Sequence, residues 1–318
     1  MRVLSLFDGV SCARVALSRA GIPITSYFAS EIDKNAIFVA QKNYPDTIQL
    51  GSVVGLSPPE CDLLIGGSPC VDLSIAKKDR KGLDGEHSGL FWEWVRVWKE
   101  TKPKWWVLEN VASMPKKDRD IITATLGVEP VMFNAALVSA QSRKRLFWTN
   151  IKFELPEDRG ILLKDILEAD STGGTTLIKI RGRDVILNES PLQVLREGRT
   201  ELGKQLRKEI KKETGKDSTS RSGGHKAYFG KEGTKANCLT TALGVEGLVV
   251  EQDRIRKLTP IECERLQSLP DNYTEGVAMT HRYRCCGNAF NVEVVAHILR
   301  HINPPAPSLS CGQHESSP

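Results

Sequence analysis

The first 150 residues alternate between short apolar runs and amphipathic stretches, and this alternation restricts the fold more than any other feature of the chain. The apolar runs, rich in β-branched and aromatic residues, are VLSLF, SYFAS, TIQL, CDLLIGG, KWWVLEN and PVMFNAALV. Amphipathic stretches lie between them at 12–20, 33–43, 89–101 and 117–126. Strands that alternate with helices of this length form a largely parallel sheet covered by helices on both faces. We therefore predict an α/β fold of the Rossmann-like kind.

Five of the predicted strands end in polar or glycine-bearing residues, which in chain order are FDG, SEID, GSV, GGSPC and ENV. The carboxyl ends of parallel strands meet at one edge of a sheet, and such sheets bind ligands beyond that edge. An active site is therefore expected where these five segments come together.

The segment GGSPCVDLS places Cys70 directly after Pro69, behind two glycines and at the end of an apolar run. Proline fixes the local backbone, and glycine lets other groups approach the backbone closely. Read alone, the segment favours a buried turn that happens to hold a thiol. Read with the polar residues at neighbouring strand ends, it is a rigidly presented nucleophile.

Composition excludes several classes of protein. The 318 residues, 40% hydrophobic and 26% charged, are ordinary for a globular chain of one large domain or two smaller ones. The chain has no run of 18 apolar residues, so no membrane span is predicted. Its first residues resemble a core strand rather than a signal peptide. The eight cysteines form no CxxC pair, so we expect reduced cytosolic thiols and no metal site.

Positive charge is concentrated in one stretch. The whole chain carries a net charge of +5, whereas residues 199–235 alone hold eleven Lys or Arg against five Asp or Glu, a surplus of six. A solvated helix face and a segment that faces a polyanion explain such a stretch equally well.

A nucleoside-containing ligand is indicated at the first two strand ends. Gly9 of FDG follows the first strand and opens a helix, whose free N–H groups can bind an anion. Glu31, 22 residues further on, ends the second strand, where a carboxylate can accept hydrogen bonds from ribose hydroxyls. The alternative is a strand-end carboxylate with no ligand.

Two further motifs carry charged side chains. Glu109 of ENV follows the apolar run KWWVL and is a candidate proton donor, although a helix cap or a salt-bridged acid is the better explanation when it is considered alone. In QSRKR, strand alternation places Gln141, Arg143 and Arg145 on one face. Arginines beside a carboxylate suit recognition of carbonyl or phosphate oxygens, and a surface salt-bridge cluster is the alternative.

The second half of the chain is organised differently. From about 155 to 250 the alternation gives way to glycines, the basic stretch and short β-like patches, which indicates an insertion or a second lobe. LTPIECERLQSLP then predicts a helix, with Thr259 as N-cap, Pro260 at the first position and Glu262 completing a capping box. Residues 287–302 predict one further amphipathic helix, and residues 304–318 a disordered tail.

The ordered series FDG, GGSPC, ENV, QSRKR, a variable basic insert, RKLTPIECERLQSLP and GNAFNVEVV resembles the DNA (cytosine-5)-methyltransferases. The resemblance covers nearly the whole chain except the insert and the tail. GGSPCVDLS, ENVASM, EPVMFNA and LVSAQSRKRLFW look closest to the eukaryotic de novo branch. The chain lacks the regulatory N-terminal region of that branch, so we expect a bacterial or phage enzyme of the same character.

The resemblance implies a mechanism. Cys70 would attack C6 of a cytosine flipped out of the duplex, Glu109 would protonate or stabilise N3, and C5 would take a methyl group from S-adenosyl-L-methionine, leaving S-adenosyl-L-homocysteine. Arg145 would hold the base O2, and Arg143 would support it. Either the site lowers the pKa of Cys70, or the attack is coupled to protonation at N3.

The resemblance also implies a cofactor site. Phe7, Asp8 and Gly9 would wall the methionine end, Glu31 would bind the ribose, and Ile32 would pack on the adenine. The complete set of implied cofactor residues is Phe7, Asp8, Gly9, Glu31, Ile32, Ser52, Pro69, Asn288 and Val292. The chain departs from the family at Ser52, where the family has an acid near the adenine, and at Ser11, where it often has a second glycine.

The implied organisation is a methyltransferase version of the Rossmann-like fold with a smaller target-recognition lobe. Residues 1–155 would form the catalytic domain, 156–250 the target-recognition domain and 251–303 a segment that returns to the catalytic domain, while 71–88 would close over the DNA.

The expected partner is double-stranded DNA, with a cognate restriction nuclease as a second one. No membrane and no metal partner is expected, and the chain would be a monomer or a weak homo-oligomer. It would be cytoplasmic and nucleoid-associated if it comes from a bacterium or phage, and nuclear if it comes from a eukaryote. An RNA or tRNA cytosine-5 methyltransferase and a catalytically inactive DNA-binding homologue are the alternatives.

Overall fold

The computed structural model describes residues 1–70, 73, 82–85, 88–168, 179–180, 183–184, 192–199, 205, 212, 225–229, 235–239, 248–251 and 254–302. Predictions that concern other residues lie outside the described part of the chain. These are most of the 71–88 loop, most of the basic stretch and the 304–318 tail.

A sheet of seven strands forms the centre of the fold. The strands are β1 (Arg2–Leu6), β2 (Ser26–Ser30), β3 (Ile48–Gln49), β4 (Leu63–Gly66), β5 (Trp105–Val111), β6 (Val131–Asn134) and β7 (Lys144–Thr149). Their order across the sheet is β3-β2-β1-β4-β5-β7-β6. Strands β1 to β5 are parallel, whereas β7 runs antiparallel to both β5 and β6. The prediction of a mostly parallel sheet is confirmed, and the five polar segments follow or end its parallel strands.

Seven helices accompany the sheet in the described residues. They are α1 (Cys12–Arg19), α2 (Lys34–Asn43), α3 (Phe91–Thr101), α4 (Lys116–Leu126), α5 (Pro260–Leu266), α6 (Met279–Asn288) and α7 (Val292–Leu299). The first four lie where the amphipathic stretches predict them. Helix α5 begins with the predicted capping box, in which Thr259 and Glu262 each accept a hydrogen bond from the other's backbone N–H.

Two predicted elements are wrong in extent. The apolar run 130–138 is a strand only to Asn134, whose side chain accepts a hydrogen bond from the Ala136 N–H and starts a 3-10 turn, Ala135–Leu137. The segment 287–302 is not one helix, because α6 ends at Asn288 and α7 starts afresh at Val292. Asn291 caps this second start by accepting a hydrogen bond from the Val294 N–H.

The core lies on both faces of the sheet, as strand alternation requires. Val3 packs on the face covered by α1, α2 and α7, whereas Leu4 packs on the opposite face with residues of α3 and α4. The second face holds the neighbouring aromatic rings of Trp94, Trp98 and Trp106. Both faces are therefore sealed, and the edge with the strand carboxyl ends is left for a site.

The C-terminal helices pack against the first helix. Val292 and its neighbours in α7 lie in the same core cluster as α1, and the Tyr273 hydroxyl donates a hydrogen bond to the Val10 carbonyl at 2.7 Å. The Val292 N–H donates to the Gln267 carbonyl at 2.9 Å. Residues from the end of the chain therefore border the segment that follows β1.

Smaller sheets lie between β7 and α5. Strands β10 (Leu192–Arg199), β11 (His225–Phe229), β12 (Leu248–Glu251) and β13 (Arg254–Lys257) form an antiparallel sheet in the order β11-β10-β12-β13. Strands β8 (Lys179–Ile180) and β9 (Arg183–Asp184) pair separately. Within the described residues, no helix has the length and apolar character needed to cross a membrane.

Candidate active site

Two glycines at the end of β4 allow very close packing of the strand ends. A Cβ atom on Gly66 would lie 2.4 Å from the Leu6 carbonyl oxygen, which is backbone and cannot turn away. A Cβ atom on Gly67 would lie 2.7 Å from Oε2 of Glu109. The space that these glycines leave is therefore used by β1 and by the Glu109 carboxylate, and not only by the ligands that the sequence suggested.

Glu109 and Arg145 form an ion pair beside this turn. Glu109 is on β5 and Arg145 on the adjacent antiparallel strand β7, and Nε of Arg145 lies 2.8 Å from Oε1 of Glu109. The two side chains are only 14% and 16% exposed. A cleft adjoins the pair and is lined in part by Phe133, Phe147 and Phe290. The interpretation of Glu109 as a salt-bridged acid is thus correct for the ligand-free protein.

Cys70 is half-buried and lies within electrostatic reach of this pair. Burial raises the pKa of the Cys70 thiol, the negative charge of Glu109 raises it further, and the positive charges of Arg145 and Arg143 oppose that rise. The net shift is upward. Desolvation thus outweighs the two arginines, which favours the second of the two routes considered from the sequence, an attack coupled to protonation at N3.

Asn110 fixes the turn that carries Cys70. Its Nδ2 donates hydrogen bonds to both the carbonyl and the hydroxyl oxygen of Ser68, at 3.2 and 3.1 Å. Asn110 is 1% exposed, and its Oδ1 accepts a hydrogen bond from the Val111 N–H at 2.8 Å. Asn110 was not among the site residues expected from the sequence, although it lies within the ENV motif.

Arg143 is buried and makes its hydrogen bonds within the protein. One terminal nitrogen donates to the Leu239 carbonyl at 3.2 Å and to Cys238 Sγ at 3.4 Å. The other donates to the carbonyls of Gly287 and Ala289, both at 3.0 Å. Burial lowers the pKa of Arg143, and the neighbouring Arg145 lowers it further.

Gln141 lies beside Arg143, as strand alternation predicts, and is fully buried. Its amide nitrogen donates to the Leu266 carbonyl at 3.2 Å, and its amide oxygen accepts from the Leu239 N–H at 3.2 Å. Gln141 and Arg143 therefore fasten neighbouring chain segments together, whereas Arg145 is the one that reaches Glu109.

Gly9 and Glu31 meet at the ends of β1 and β2. Oε2 of Glu31 accepts a hydrogen bond from the Gly9 N–H at 2.8 Å, and its Oε1 accepts from the N–H groups of Ile32 and Asp33 at 2.7 and 2.9 Å. Gly9 has a φ of 60°, and Phe7 beside it has a φ of 56°. Both values lie in the left-handed region, which glycine adopts at the least cost.

Asp8 points into the protein. Its carboxylate accepts hydrogen bonds from the Tyr27 hydroxyl at 2.7 Å and from the Ser11 hydroxyl at 2.5 Å. Burial raises the pKa of this carboxyl. Ser11, in the place of the second glycine, itself has a φ of 60° and supports Asp8.

The remaining predicted cofactor residues differ in exposure. Ile32 is 73% exposed, which is unusual for a large apolar side chain and leaves its surface open to a ligand. Ser52 and Asn288 are exposed and Pro69 is half-buried, whereas Val292 is fully buried in the core. The Ser52 hydroxyl accepts a hydrogen bond from the Val54 N–H at 3.1 Å. The described residues contain no group of His, Cys, Asp and Glu that could hold a metal ion.

An α/β sheet with a half-buried thiol, a mostly buried Glu–Arg pair and a strand-end carboxylate that binds the turn after its first strand is typical of a group-transfer enzyme that takes a nucleoside-containing cofactor. Residues 1–304 match the family model described as C-5 cytosine-specific DNA methylase, and the chain belongs to this family. The resemblance seen in the motifs is thereby confirmed at the level of the family, and the likeness to the de novo branch stays a prediction.

Two proteins with similar sequences come from a bacterium and from a phage. The type II methyltransferase M1.ScrFI of Lactococcus lactis subsp. cremoris is 28% identical over 313 residues, 92% of this chain and 76% of that protein. The orphan methyltransferase M.SPRI of Bacillus phage SPR is 32% identical over 187 residues, 53% of this chain and only 42% of that protein. A crystal structure described as a DNA modification methyltransferase encoded within an E. coli prophage has the same fold, with a TM-score of 0.62 at 19% identity over 95% of this chain and 98% of that one.

Proposed function

We propose that this protein transfers a methyl group from S-adenosyl-L-methionine to C5 of a cytosine that is flipped out of double-stranded DNA, with Cys70 as the nucleophile. The observation that carries the proposal is the position of the half-buried Cys70 thiol within electrostatic reach of the buried Glu109–Arg145 pair. A duplex base cannot reach a thiol in this setting unless it leaves the stack.

The raised pKa of Cys70 determines how the attack proceeds. Because the resting thiol holds its proton more firmly than an ordinary cysteine, formation of the S–C6 bond has to be linked to proton movement. The proton that the Cys70 thiol gives up passes by way of the Glu109 carboxylate to N3, where it takes up the electron pair that the attack pushes into the ring. The attack then makes C5 a carbon nucleophile without a full negative charge on the base.

Arg145 has two tasks in this scheme. In the ligand-free protein its Nε lies 2.8 Å from Oε1 of Glu109 and holds the carboxylate at the turn. A guanidinium can also donate to a base carbonyl from its terminal nitrogens. Arg143, with hydrogen bonds only to protein atoms among the described residues, supports Arg145 and does not contact the base.

The residues at the ends of β1 and β2 fit the methyl donor. Oε1 of Glu31 accepts two backbone N–H groups and Oε2 accepts one, so Oε2 keeps a lone pair for a ribose hydroxyl. Apart from the two chain neighbours of Gly9, no atom of the described residues lies within 4 Å of the place where a Gly9 Cβ would stand, and Ile32 presents an open apolar surface to a base. When bound there, S-adenosyl-L-methionine supplies an electrophilic methyl carbon. After C5 had received that methyl, loss of the C5 proton to water would re-form the C5=C6 double bond and release Cys70 as a thiolate.

The partner assignments follow from the same proposal. Double-stranded DNA is the substrate class of the family. The stretch 199–235 with its surplus of six positive charges supplies the polyanion-facing part of a target-recognition region at 156–250. A cognate restriction nuclease and a monomeric or weakly oligomeric state belong to this proposal as well.

Bisulfite sequencing of DNA from cells that express the protein tests the proposal, because it reports base, context and activity together. We expect 5-methylcytosine in a defined sequence context with the wild-type protein and none with Cys70→Ser. Cys61→Ser is the matched control, since Cys61 lies before β4, at the opposite end of that strand from Cys70. Equal methylation by Cys70→Ser, or methylation of tRNA but not of DNA by the purified protein, would overturn the proposal.

A further inference from the structure

The segment 235–239 is fastened to the chain that leads into β7. The Ala236 N–H donates to the Ala140 carbonyl at 2.7 Å, and the Ser142 N–H donates to the Ala236 carbonyl at 2.9 Å. The Leu239 N–H donates to the side chain of Gln141 at 3.2 Å. This segment begins at the last residue of the basic stretch 199–235. Its backbone therefore joins the end of that stretch to the residues that lead into β7, the strand that carries Arg145.

Cys238 is the residue of this segment that touches both arginines. Its Sγ lies 3.4 Å from a terminal nitrogen of Arg143 and 3.9 Å from Nη2 of Arg145. The thiol itself faces the Leu239 carbonyl at 3.6 Å. Sulfur is a weak acceptor, and it lies here between two guanidinium groups that are otherwise held by oxygen atoms.

The contacts of Arg145 differ in strength from one nitrogen to the next. Its Nε faces the Glu109 carboxylate at 2.8 Å, and its Nη1 donates to the Lys144 carbonyl at 2.9 Å. Within the described part of the chain its Nη2 has only the longer contact to Cys238, so this nitrogen is the one that can turn to a ligand with the least loss.

We propose that Cys238 is a positioning residue for Arg145, and that through it the segment 235–239 sets the direction of the Arg145 guanidinium before the base arrives. The proposal rests on the proposed function, in which Arg145 holds the flipped cytosine. A weak acceptor suits this task, because it keeps Nη2 in place and gives it up when a base carbonyl offers a better partner. The end of the insert thereby adjusts a group that touches the reacting base.

Kinetics on purified protein with duplex DNA provide the first test. Loss of one hydrogen bond predicts that Cys238→Ala lowers kcat about fivefold. The Kd for DNA should change less than twofold, and Cys238→Ser, which keeps a donor and an acceptor, should retain most of the activity. In an Arg145→Lys background, Cys238→Ala should cost less than a further twofold, because the group through which it acts is already gone. Cys61→Ala, which removes a thiol away from the site, is the matched control.

An additive loss in the double variant, weaker DNA binding with unchanged kcat, or full activity of Cys238→Ala would each overturn the proposal. A second readout does not depend on catalysis. The side-chain N–H signal of Arg145 Nε in a nitrogen-15 NMR spectrum, assigned by its absence in Arg145→Lys, should shift in Cys238→Ala and stay near the wild-type position in Cys238→Ser. An unmoved signal in Cys238→Ala contradicts the positioning role even if the wild-type protein methylates nothing, so failure of this inference and failure of the proposed function are distinguishable.

Discussion

Asn110 donates two hydrogen bonds to Ser68, one to its carbonyl and one to its hydroxyl, and thereby ties β5 to the turn that presents Cys70 two residues later. The pair is buried, so water cannot replace these bonds at no cost. Because the nucleophile needs a fixed place, we expect Asn110→Ala to lower kcat about tenfold or more. The free energy of unfolding should fall by about 1–3 kcal/mol, measured by urea denaturation.

Asn150 offers the matched control for this variant. It also bonds to backbone near β5, accepting from the Trp106 N–H at 3.0 Å and donating to the Lys104 carbonyl at 2.9 Å, but at the end of β5 away from the site. Asn150→Ala should therefore cost stability without lowering kcat at temperatures where the variant is folded. If both variants lose activity in proportion to their stability, Asn110 has no role in placing Cys70.

The charge of Glu109 is expected to control the titration of Cys70. Glu109 raises the pKa of the thiol, whereas Arg145 and Arg143 lower it. Glu109→Gln removes the only raising charge among these neighbours, so the pKa of Cys70 should fall and alkylation of Cys70 by iodoacetamide should begin at lower pH. Activity should nevertheless drop by about 10² or more, because the proton for N3 is lost.

Mass spectrometry of the peptide that contains Cys70, followed across pH, gives the titration midpoint directly. An unchanged or higher midpoint in Glu109→Gln would show that burial alone sets the pKa of this thiol. Retention of wild-type kcat in the same variant would remove Glu109 from the mechanism.

Replacement of Gly66, the last residue of β4, and replacement of Gly67, the residue after it, are expected to have different effects. A Cβ on Gly66 meets the Leu6 carbonyl at 2.4 Å, and neither backbone can move without separating β1 from β4, so Gly66→Ala should destabilise the fold by about 3 kcal/mol or more. A Cβ on Gly67 meets the end of the Glu109 side chain, which can turn. Gly67→Ala should therefore remain folded and lose activity, as thermal unfolding and methylation assays on the pair will show. The opposite ranking of stability would contradict the packing described here.

The sequence was sufficient to predict elements and the edge of the sheet where the site lies. Periodicity locates α1 to α4 because each buries one face, and the Thr259–Glu262 capping box is local enough to be read directly. Cys70 and Glu109 could be brought together because their segments lie at the ends of neighbouring parallel strands, and these ends meet at one edge. Arg145 reaches the same edge because it lies at the start of β7, which runs antiparallel to β5.

Partners that are distant in sequence could not be predicted in this way. Arg143 and Cys238 are 95 positions apart in the sequence, and no periodicity of the intervening chain predicts their contact. Asp8 was expected to face the cofactor, yet a strand-end carboxylate turns inward when a buried hydroxyl such as that of Tyr27 offers it a hydrogen bond. The break between α6 and α7 could not be predicted, because Ala289 and Phe290 are compatible with a continuous helix. Only the Asn291 cap marks the new start.

Glu31 should contribute more to cofactor affinity than its surface position suggests. Its carboxylate holds the Gly9 turn through one oxygen and the Ile32 and Asp33 N–H groups through the other, so its removal loosens the pocket as well as a contact to the ribose. We expect Glu31→Ala to weaken binding of S-adenosyl-L-methionine about tenfold or more by isothermal calorimetry. Glu60→Ala, which breaks an exposed ion pair with Arg2, is the control and should bind as the wild type does. Equal affinities of the two variants would place the ribose elsewhere and leave Glu31 as a residue that only shapes the turn after β1.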